Sequence, residues 1–264
     1  MSGVLTDRVV IAISGPEAKS FLQGLTTNDI NSLTPDVPLY SALLTPQGKV
    51  LFDFLLSERD EAIFLDCATS SAQALLKRLT MYRLRAKVDL VLREDLAVCW
   101  NGAGGSADPR LTELGTRSVL PANSSDASIE YLSRRLELGV PEGADFGSDK
   151  MFALDAGLEE LHGVSFEKGC YVGQELTARM KHRGTARKRL LPVSAVDGND
   201  LPSPGTEIRA INVALGEITS TYGTRGFALI RLDRWKEASD APLLAGEQPV
   251  HVTKPTWSAA GLDE

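Results

Sequence analysis

The first hundred residues alternate between short apolar runs and polar turns, a pattern typical of strands joined by tight connections. The apolar, β-branched run Val9–Ile13 predicts the first strand. A Ser, an early Pro and a Glu follow in Ser14-Gly15-Pro16-Glu17, at the spacing of a capped helix start. We therefore expect a helix from there to about Leu25. Turn-forming sequences then separate three predicted strands, at 40–44, 50–56 and 62–65.

A second helix is predicted over 70–86, where apolar residues recur at helical spacing, and a strand is predicted over 88–92. Strands and helices are thus mixed without a regular βαβ order, which favours the α+β class. From Leu190 onward the pattern changes to short apolar runs separated by Gly and Pro. This texture predicts a small all-β domain at the C-terminal end.

The composition is that of an ordinary globular protein, with 43% hydrophobic and 24% charged residues in 264. No apolar run approaches the roughly 18 residues of a spanning helix, and no export signal is recognisable. We therefore expect no membrane partner and a cytoplasmic location. The cysteines Cys67, Cys99 and Cys170 are odd in number and widely spaced, which favours a reducing compartment. They cannot supply four thiolates to a metal cluster within one chain.

Positive charge is concentrated in two stretches, although the net charge is −7. Residues 168–189 contain seven Lys or Arg and one acid, and residues 77–87 contain five Lys or Arg and no acid. A basic run is usually a solvated face. The first run, however, includes the chain's most unusual cysteine, and this proximity favours an anion-binding site there.

That cysteine lies in the run Lys168-Gly169-Cys170-Tyr171-Val172-Gly173-Gln174-Glu175. Reactive thiols tend to be partly exposed and close to positive charge, whereas structural cysteines are buried. Cys170 has glycines close on both sides and Lys168 nearby. Gln174 and Glu175 could hydrogen-bond the edge of a heterocycle, and Arg179 follows one helical turn after Glu175. A tight turn around a buried cysteine is an equally open interpretation.

His162 and His182 are the histidines nearest to this run, and either could act as a base toward Cys170. The chain shows no Cys/His signature of a known hydrolase type. No two His or Cys residues have the spacing of metal ligands, so we assign no metal ligand.

The cysteine run, with Arg179 after it, resembles the signature of the YgfZ-type folate-binding proteins, which include CAF17-like iron–sulfur cluster assembly proteins. These proteins are related to the glycine-cleavage T-protein, an aminomethyltransferase. Further segments of the chain are similar to the same group: Phe21-Leu22-Gln23-Gly24-Leu25-Thr26-Thr27-Asn28-Asp29, Leu44-Thr45-Pro46-Gln47-Gly48-Lys49-Val50-Leu51 and Tyr82-Arg83-Leu84-Arg85-Ala86-Lys87-Val88.

The resemblance implies a three-domain ring around a central folate channel, with a C-terminal β-barrel. Residues 1–100 would be shared between the first two domains, 101–189 would complete them and carry the cysteine motif, and 190–264 would form the barrel. The implied cofactor is tetrahydrofolate or a polyglutamated derivative. The implied role is assembly, insertion or repair of iron–sulfur clusters, with client or assembly proteins as partners.

The resemblance also implies a site. Cys170 would be its functional thiol, and Tyr171 or Tyr82 would stack on the folate rings. Arg179, Arg183 or Arg187 would bind the glutamyl carboxylates of the cofactor. The expected cofactor-binding residues are Asn28, Asp53, Tyr82, Lys168, Tyr171, Gln174, Glu175 and Arg179.

One departure from the T-protein concerns a pair of adjacent aspartates that the resemblance aligns with Phe52 and Asp53. The first carboxylate is missing, so the general acid/base chemistry of aminomethyl transfer lacks its expected agent. An iron–sulfur accessory protein is therefore the leading hypothesis and a conventional enzyme is not expected. The alternatives are a folate-dependent one-carbon transferase and a tRNA-modification helper that would bind nucleic acid through the basic run.

Overall fold

The computed structural model describes residues 2–121, 125–184, 187–238 and 241–258, in which helices and strands alternate irregularly. The helices are α1 (Ala18–Gln23), α2 (Thr69–Arg83), α3 (Ser128–Leu138), α4 (Gln174–Arg183) and α5 (Leu232–Ala238). The strands are β1 (Gly3–Val4), β2 (Arg8–Ser14), β3 (Leu39–Leu44), β4 (Val50–Arg59), β5 (Ala62–Ala68), β6 (Asp89–Arg93), β7 (Leu96–Trp100), β8 (Ser106–Ala107), β9 (Thr116–Pro121), β10 (Lys188–Ala195), β11 (Glu207–Ala210), β12 (Val213–Tyr222), β13 (Arg225–Arg231), β14 (Leu243–Ala245) and β15 (Gln248–Val252).

A five-stranded antiparallel sheet forms the first part of the fold, in the strand order β3-β4-β5-β2-β6. Helices α1 and α2 cover one face of it, and Leu22, Leu75 and Leu79 are fully buried in the core between them. Every strand of this sheet and helix α2 was predicted from the apolar pattern. The agreement follows because each strand is short and is bounded by a recognisable turn.

The start of α1 differs from the prediction. Ser14 does not cap the helix, because it is the last residue of β2 and pairs with Asp89 of β6. Gly15 then turns with a φ of +105°, and a Cβ there would lie 2.4 Å from the carbonyl oxygen of Lys87. The helix begins three residues later, after an N-cap residue, Glu17, whose side chain makes no capping bond.

A four-stranded sheet in the order β1-β7-β9-β8 packs beside the first sheet, and helix α3 packs against it. The rings of Trp100 on β7 and Tyr131 on α3 meet edge to face, with their centroids 5.8 Å apart. Strands β7 and β9 and helix α3 were not predicted. The predicted loop at 101–109 includes the two-residue strand β8.

The C-terminal strands form an antiparallel barrel in the order β10-β13-β12-β11-β14-β15, which closes where β15 pairs with β10. Ile208, Ile218, Ala228 and Ile230 are buried inside it. The predicted α+β class with a C-terminal β-barrel is confirmed. The division of the chain at residues 100 and 189 remains a prediction. Within the described ranges, no helix is both long and apolar enough to cross a membrane.

One continuous core lies where the two sheets and the barrel meet, and it includes Tyr40, Trp100 and Phe227. Asp145 ties the barrel to this junction. Its carboxylate accepts a hydrogen bond from Tyr222 Oη at 3.0 Å and a close one from Ser220 Oγ, both on β12. Arg135 of α3 donates to the same carboxylate at 2.6 Å. The ion pair is buried on both sides.

The adjacent arginines of α3 provide a matched test of this connection. Arg135→Ala leaves the buried carboxylate of Asp145 without its counter-charge, so we expect the free energy of unfolding to fall by about 3–5 kcal/mol. Arg134 pairs with Glu137 at the surface, and Arg134→Ala should cost less than about 1 kcal/mol. Chemical denaturation of both variants measures the difference. Equal losses would show that the Arg135–Asp145 pair does not secure the junction.

Candidate functional site

The cysteine motif forms a loop that runs into α4, and it is fastened to the segment after α1 by a buried lysine. Lys168 Nζ donates to the carbonyl oxygens of Thr26 at 2.6 Å and Asn28 at 2.7 Å. The Asn28 side chain in turn donates to the carbonyls of Tyr40 and His162, each at 2.8 Å. Two of the segments that carry the family resemblance are therefore in direct contact.

A third such segment, the turn between β3 and β4, packs against Gly173. This glycine has a φ of +84° and is the N-cap residue of α4. A Cβ at Gly173 would lie 2.4 Å from the carbonyl oxygen of Thr45, and one at Gly48 would lie 3.2 Å from the carbonyl oxygen of Gly173. A side chain would clash at Gly173 and would be tightly placed at Gly48, which also has a φ of +79°, so two glycines permit the close approach of the two loops.

The cysteine itself is the exposed point of a loop that is anchored on both sides. Lys168 and Tyr171 are buried, and the ammonium of Lys168 lies 5.1 Å from the centroid of the Tyr171 ring. Gln174 Oε1 accepts a hydrogen bond from the Tyr171 backbone N–H at 3.3 Å. Cys170 is exposed, and no atom within 4 Å would obstruct a Cβ at Gly169. The loop therefore presents the thiol to solvent on a fixed backbone.

Lys168 does not act as an exposed cation beside the thiol, which corrects one part of the sequence interpretation. Its ammonium is turned inward and is occupied by two backbone carbonyls. Burial lowers the pKa of Lys168 to about 8, and Asp29 opposes this shift. Lys168 therefore holds the cysteine loop against the segment after α1.

The basic run beyond the motif is partly neutralised. Arg179 on α4 forms an exposed ion pair with Glu175 at 2.9 Å, as the one-turn spacing predicted. Lys181 pairs with Glu159, and Arg189 pairs with Glu160 at 2.5 Å. Other cations of the run have no ion pair within the described ranges; they include Arg183 and Arg187. These two guanidinium groups remain available to an anion.

Asn28 and Asp53 line different cavities. The cavity at Asn28 has a volume of about 700 Å³, and its charged wall residues are the acids Asp36, Asp108, Glu159 and Glu167. The amide N–H groups of Asn28 are already bonded to the carbonyls of Tyr40 and His162. Asp108 and Glu159 form ion pairs with Arg110 and Lys181, so the negative charge of this wall is partly neutralised, and its lining includes no Lys or Arg that would bind a polycarboxylate.

The cavity at Asp53 has a volume of about 180 Å³, and its wall includes Phe52, Ser70 and Ser71. Asp53 is buried; its carboxyl group accepts a hydrogen bond from the Gly143 backbone N–H at 2.9 Å and one from Tyr40 Oη at 3.2 Å. Burial, and then the charge of Glu142, raise the pKa of Asp53. Phe52 packs against the core beneath α2. Among the residues that line this cavity, Asp53 is the acidic one.

Of three other predicted participants, His162 lines the Asn28 cavity, whereas Tyr82 and His182 line neither cavity. Tyr82 packs against the core beneath α2 and lines neither cavity, so the structure does not bring it to Asn28 or Asp53. His162 and His182 make no hydrogen bond to Cys170 in the described ranges, and both are exposed. Within those ranges no cluster of His, Cys, Asp or Glu has the arrangement of a metal site.

A buried network of ion pairs beside the cavities was not predicted. Arg110 is 1% exposed and bonds the carboxylates of Asp108 and Glu142. Arg8 bonds Asp66 at 2.6 Å, and Arg117 bonds both Asp66 and Asp108. Burial alone would raise the pKa of Glu142, but Arg110 and Arg8 hold it well below its ordinary value. The partners are up to 134 residues apart in sequence, and no local pattern signals them.

Comparison with known proteins shows the family to which this chain belongs. Residues 187–260 match the model described as the CAF17 C-terminal β-barrel domain, which is the barrel described above. The chain is 33% identical to the human protein named iron–sulfur cluster assembly factor IBA57, mitochondrial, over 90% of this chain and 78% of that protein. The chain belongs to the IBA57 family of iron–sulfur cluster assembly factors.

Other IBA57 relatives are similar over differing lengths. The protein from Mus musculus is 30% identical, over 96% of this chain and 84% of that protein. The homologue from Neurospora crassa is 34% identical over 71% of this chain, which spans about half (52%) of that relative's length. These relatives are named as mitochondrial proteins, so the prediction of a cytoplasmic location is wrong.

The fold is also that of the T-protein. The chain superposes on the glycine cleavage system aminomethyltransferase T from Bartonella henselae with a TM-score of 0.75, over 98% of this chain and 86% of that one. The sequences are 18% identical, so the likeness concerns the fold. The predicted resemblance to a CAF17-like relative of the T-protein is confirmed.

Exposure predicts which cysteine reacts. Cys67 is fully buried, and burial raises the pKa of its thiol to about 12, while Cys99 is 4% exposed. We expect a maleimide probe to label Cys170 at least tenfold faster than either of the other two in the native protein. Peptide mapping of a time course measures the three rates, and full labelling in denaturant confirms that all three thiols are free. Labelling of Cys67 or Cys99 at the rate of Cys170 would contradict the placement of the loop.

Proposed function

We propose that this protein assists the assembly of iron–sulfur clusters on client proteins, and that Cys170 is the residue through which it does so. The observation that carries the proposal is an exposed thiol on a loop whose neighbouring residues are buried and bonded. The names of the IBA57 relatives support the cluster-assembly role.

The chemistry of the thiol sets a limit on that role. Iron–sulfur clusters are held by several thiolates, and one exposed cysteine cannot provide them. Cys67 and Cys99 are buried, so the chain offers Cys170 alone at its surface. In the proposed role, Cys170 is therefore one ligand or one reactive thiol in a step that a second protein completes.

Complementation tests the role of Cys170. In cells that lack this protein, Cys170→Ala should leave the activities of iron–sulfur enzymes at the level of the deletion. Cys99→Ala removes a buried thiol and should restore those activities. Immunoblots check that both variants accumulate to wild-type amounts. Full restoration by Cys170→Ala would refute the assigned role of the thiol.

A second part of the proposal concerns tetrahydrofolate or its polyglutamates. The Asp53 cavity offers groups that suit a flat heterocycle: an acidic acceptor, the aromatic rings of Phe52 and Phe146, and two serines in the first turn of α2. The lining of the Asn28 cavity includes no Lys or Arg that would bind the glutamyl tail. The residues at Asp53 therefore fit the folate ring better, and Arg179, Arg183 or Arg187 would bind the tail.

The same cavity favours binding over one-carbon transfer. Asp53 is its acidic side chain, and the position before it holds Phe52. The Asp53 carboxyl group is held in place by the hydrogen bonds that it accepts from the Gly143 N–H and from Tyr40 Oη, so it is suited to hydrogen-bonding the edge of a ring. A bound folate would contribute a one-carbon carrier, while Asp53 would orient its ring.

Titration calorimetry with tetrahydrofolate triglutamate tests the folate proposal. Asp53→Asn should weaken binding about 10- to 100-fold, because a hydrogen bond to a charged or acidic group is worth about 1.5–3 kcal/mol. Asp36→Asn, in the other cavity, should leave the affinity unchanged. Arg179→Ala should weaken the binding of the triglutamate and leave the binding of the monoglutamate unchanged. If the wild-type protein binds neither ligand, the folate proposal fails and the role of Cys170 is unaffected.

A further inference from the structure

The outer face of α2 is exposed and has no role in the site described above. Its inner face buries Ala72, Leu75 and Leu79 against the five-stranded sheet. On the outer face Met81 is 61% exposed, and Leu84, which ends the helix, is 87% exposed. Helical spacing places Met81 on the side opposite the buried residues, and Leu84 follows the helix as its exposed C-cap residue. Two large apolar side chains are thus directed to solvent.

Cations flank these two side chains in the sequence. Between Asp66 and Asp89 the chain contains no acid, and its cations are Lys77, Arg78, Arg83, Arg85 and Lys87. The nearby carboxylate of Glu17 accepts a hydrogen bond from the Lys87 backbone N–H at 2.6 Å. In a chain of net charge −7, this surface is a local concentration of positive charge. It is complementary to an acidic surface.

The backbone holds Leu84 in an unfavourable conformation. Its φ is +46° and its ψ is −105°, which costs a non-glycine residue on the order of 1–3 kcal/mol. Hydrogen bonds on the C-terminal side maintain this geometry, from Ala86 N to the Arg83 carbonyl at 2.8 Å and from Val88 N to the Ala86 carbonyl at 2.9 Å. The exposed leucine therefore projects from a fixed turn, as a preorganised contact would.

We propose that this face, defined by Lys77, Arg78, Met81, Leu84 and Arg85, binds an acidic protein. Met81 and Leu84 enter an apolar groove, and carboxylates at the rim of the groove meet the cations. A dry apolar centre with a charged rim is the usual anatomy of a protein interface. This inference goes beyond the proposed function and does not depend on it.

Two other anionic partners fit the face less well. A nucleic acid would place its phosphates against the centre of the face, where the side chains are Met81 and Leu84. A bilayer would require the apolar side of α2 to enter the interface, and that side is packed on its own sheet. The combination of an apolar centre and a cationic rim favours a protein.

Photo-crosslinking in cells tests this assignment. The full chain carries benzoylphenylalanine in place of Thr80, which is exposed beside the face. We expect an adduct with one discrete protein, at a peptide flanked by Asp and Glu. The double variant Met81→Asp/Leu84→Asp should reduce its yield at least tenfold. The control Ile129→Asp/Ile211→Asp, at two exposed positions elsewhere, should leave the yield unchanged.

A separate variant distinguishes lost docking from lost folding. Leu84→Gly relieves the backbone strain and removes the side chain, so Tm should be unchanged or higher while the adduct yield falls at least tenfold. The proposal would be overturned by adducts with lipid or RNA, or by a crosslinked peptide without acidic flanks. It would also be overturned if Met81→Asp/Leu84→Asp left the adduct yield unchanged, or if no adduct formed.

Discussion

The junction between the two sheets depends on a buried network of arginine and carboxylate groups. Arg8 of β2, Arg117 of β9 and Arg110 reach the carboxylates of Asp66 and Asp108. With Glu142 and the Arg135–Asp145 pair, four arginines face four carboxylates. The charges balance, so none of these groups lies in the interior uncompensated.

Such a network contributes more to geometry than to stability. Each ion loses several kcal/mol of hydration on burial, and the attraction between partners roughly restores it. A guanidinium group, however, donates in fixed directions, so the carboxylates it bonds must lie in one arrangement. Asp66 on β5 and Asp108 before β9 both bond Arg117, which sets the two sheets relative to each other. Asp145 extends the arrangement to the barrel.

The pattern along the chain predicted elements and contacts that depend on local spacing, and it did not predict contacts between residues that are far apart in sequence. The strands of the first sheet and α2 follow from apolar periodicity, and the Glu175–Arg179 pair follows from helical spacing. The direction of Lys168 could not be predicted, since it depends on carbonyls 140 and 142 residues away. The packing of Tyr82 against the core could not be predicted either, because an aromatic residue on an amphipathic helix can serve in a core or at a ligand.

The buried face of helix α3 combines apolar and polar contacts. Tyr131 packs on Trp100 and also bonds Glu142 and Arg110, so the face that is buried is polar as well as apolar. Arg135, on the same helix, is 4% exposed. Its guanidinium group is buried against the carboxylate of Asp145. The partners of Tyr131 and Arg135 lie on other elements, so spacing within the helix could not predict these contacts.

Both exposed elements that we connect with function have rigid supports. Cys170 extends from a loop held by Lys168, Tyr171 and the close approach of Gly173 to Thr45. Leu84 extends from a turn held by hydrogen bonds on its C-terminal side. A fixed side chain loses less conformational entropy on binding than one on a mobile loop. The strained backbone at Leu84 and the desolvated charge of Lys168 each have an energetic cost, and at Lys168 two hydrogen bonds to carbonyl groups offset part of it. Their cost is understandable if each holds its neighbour ready for contact with another molecule.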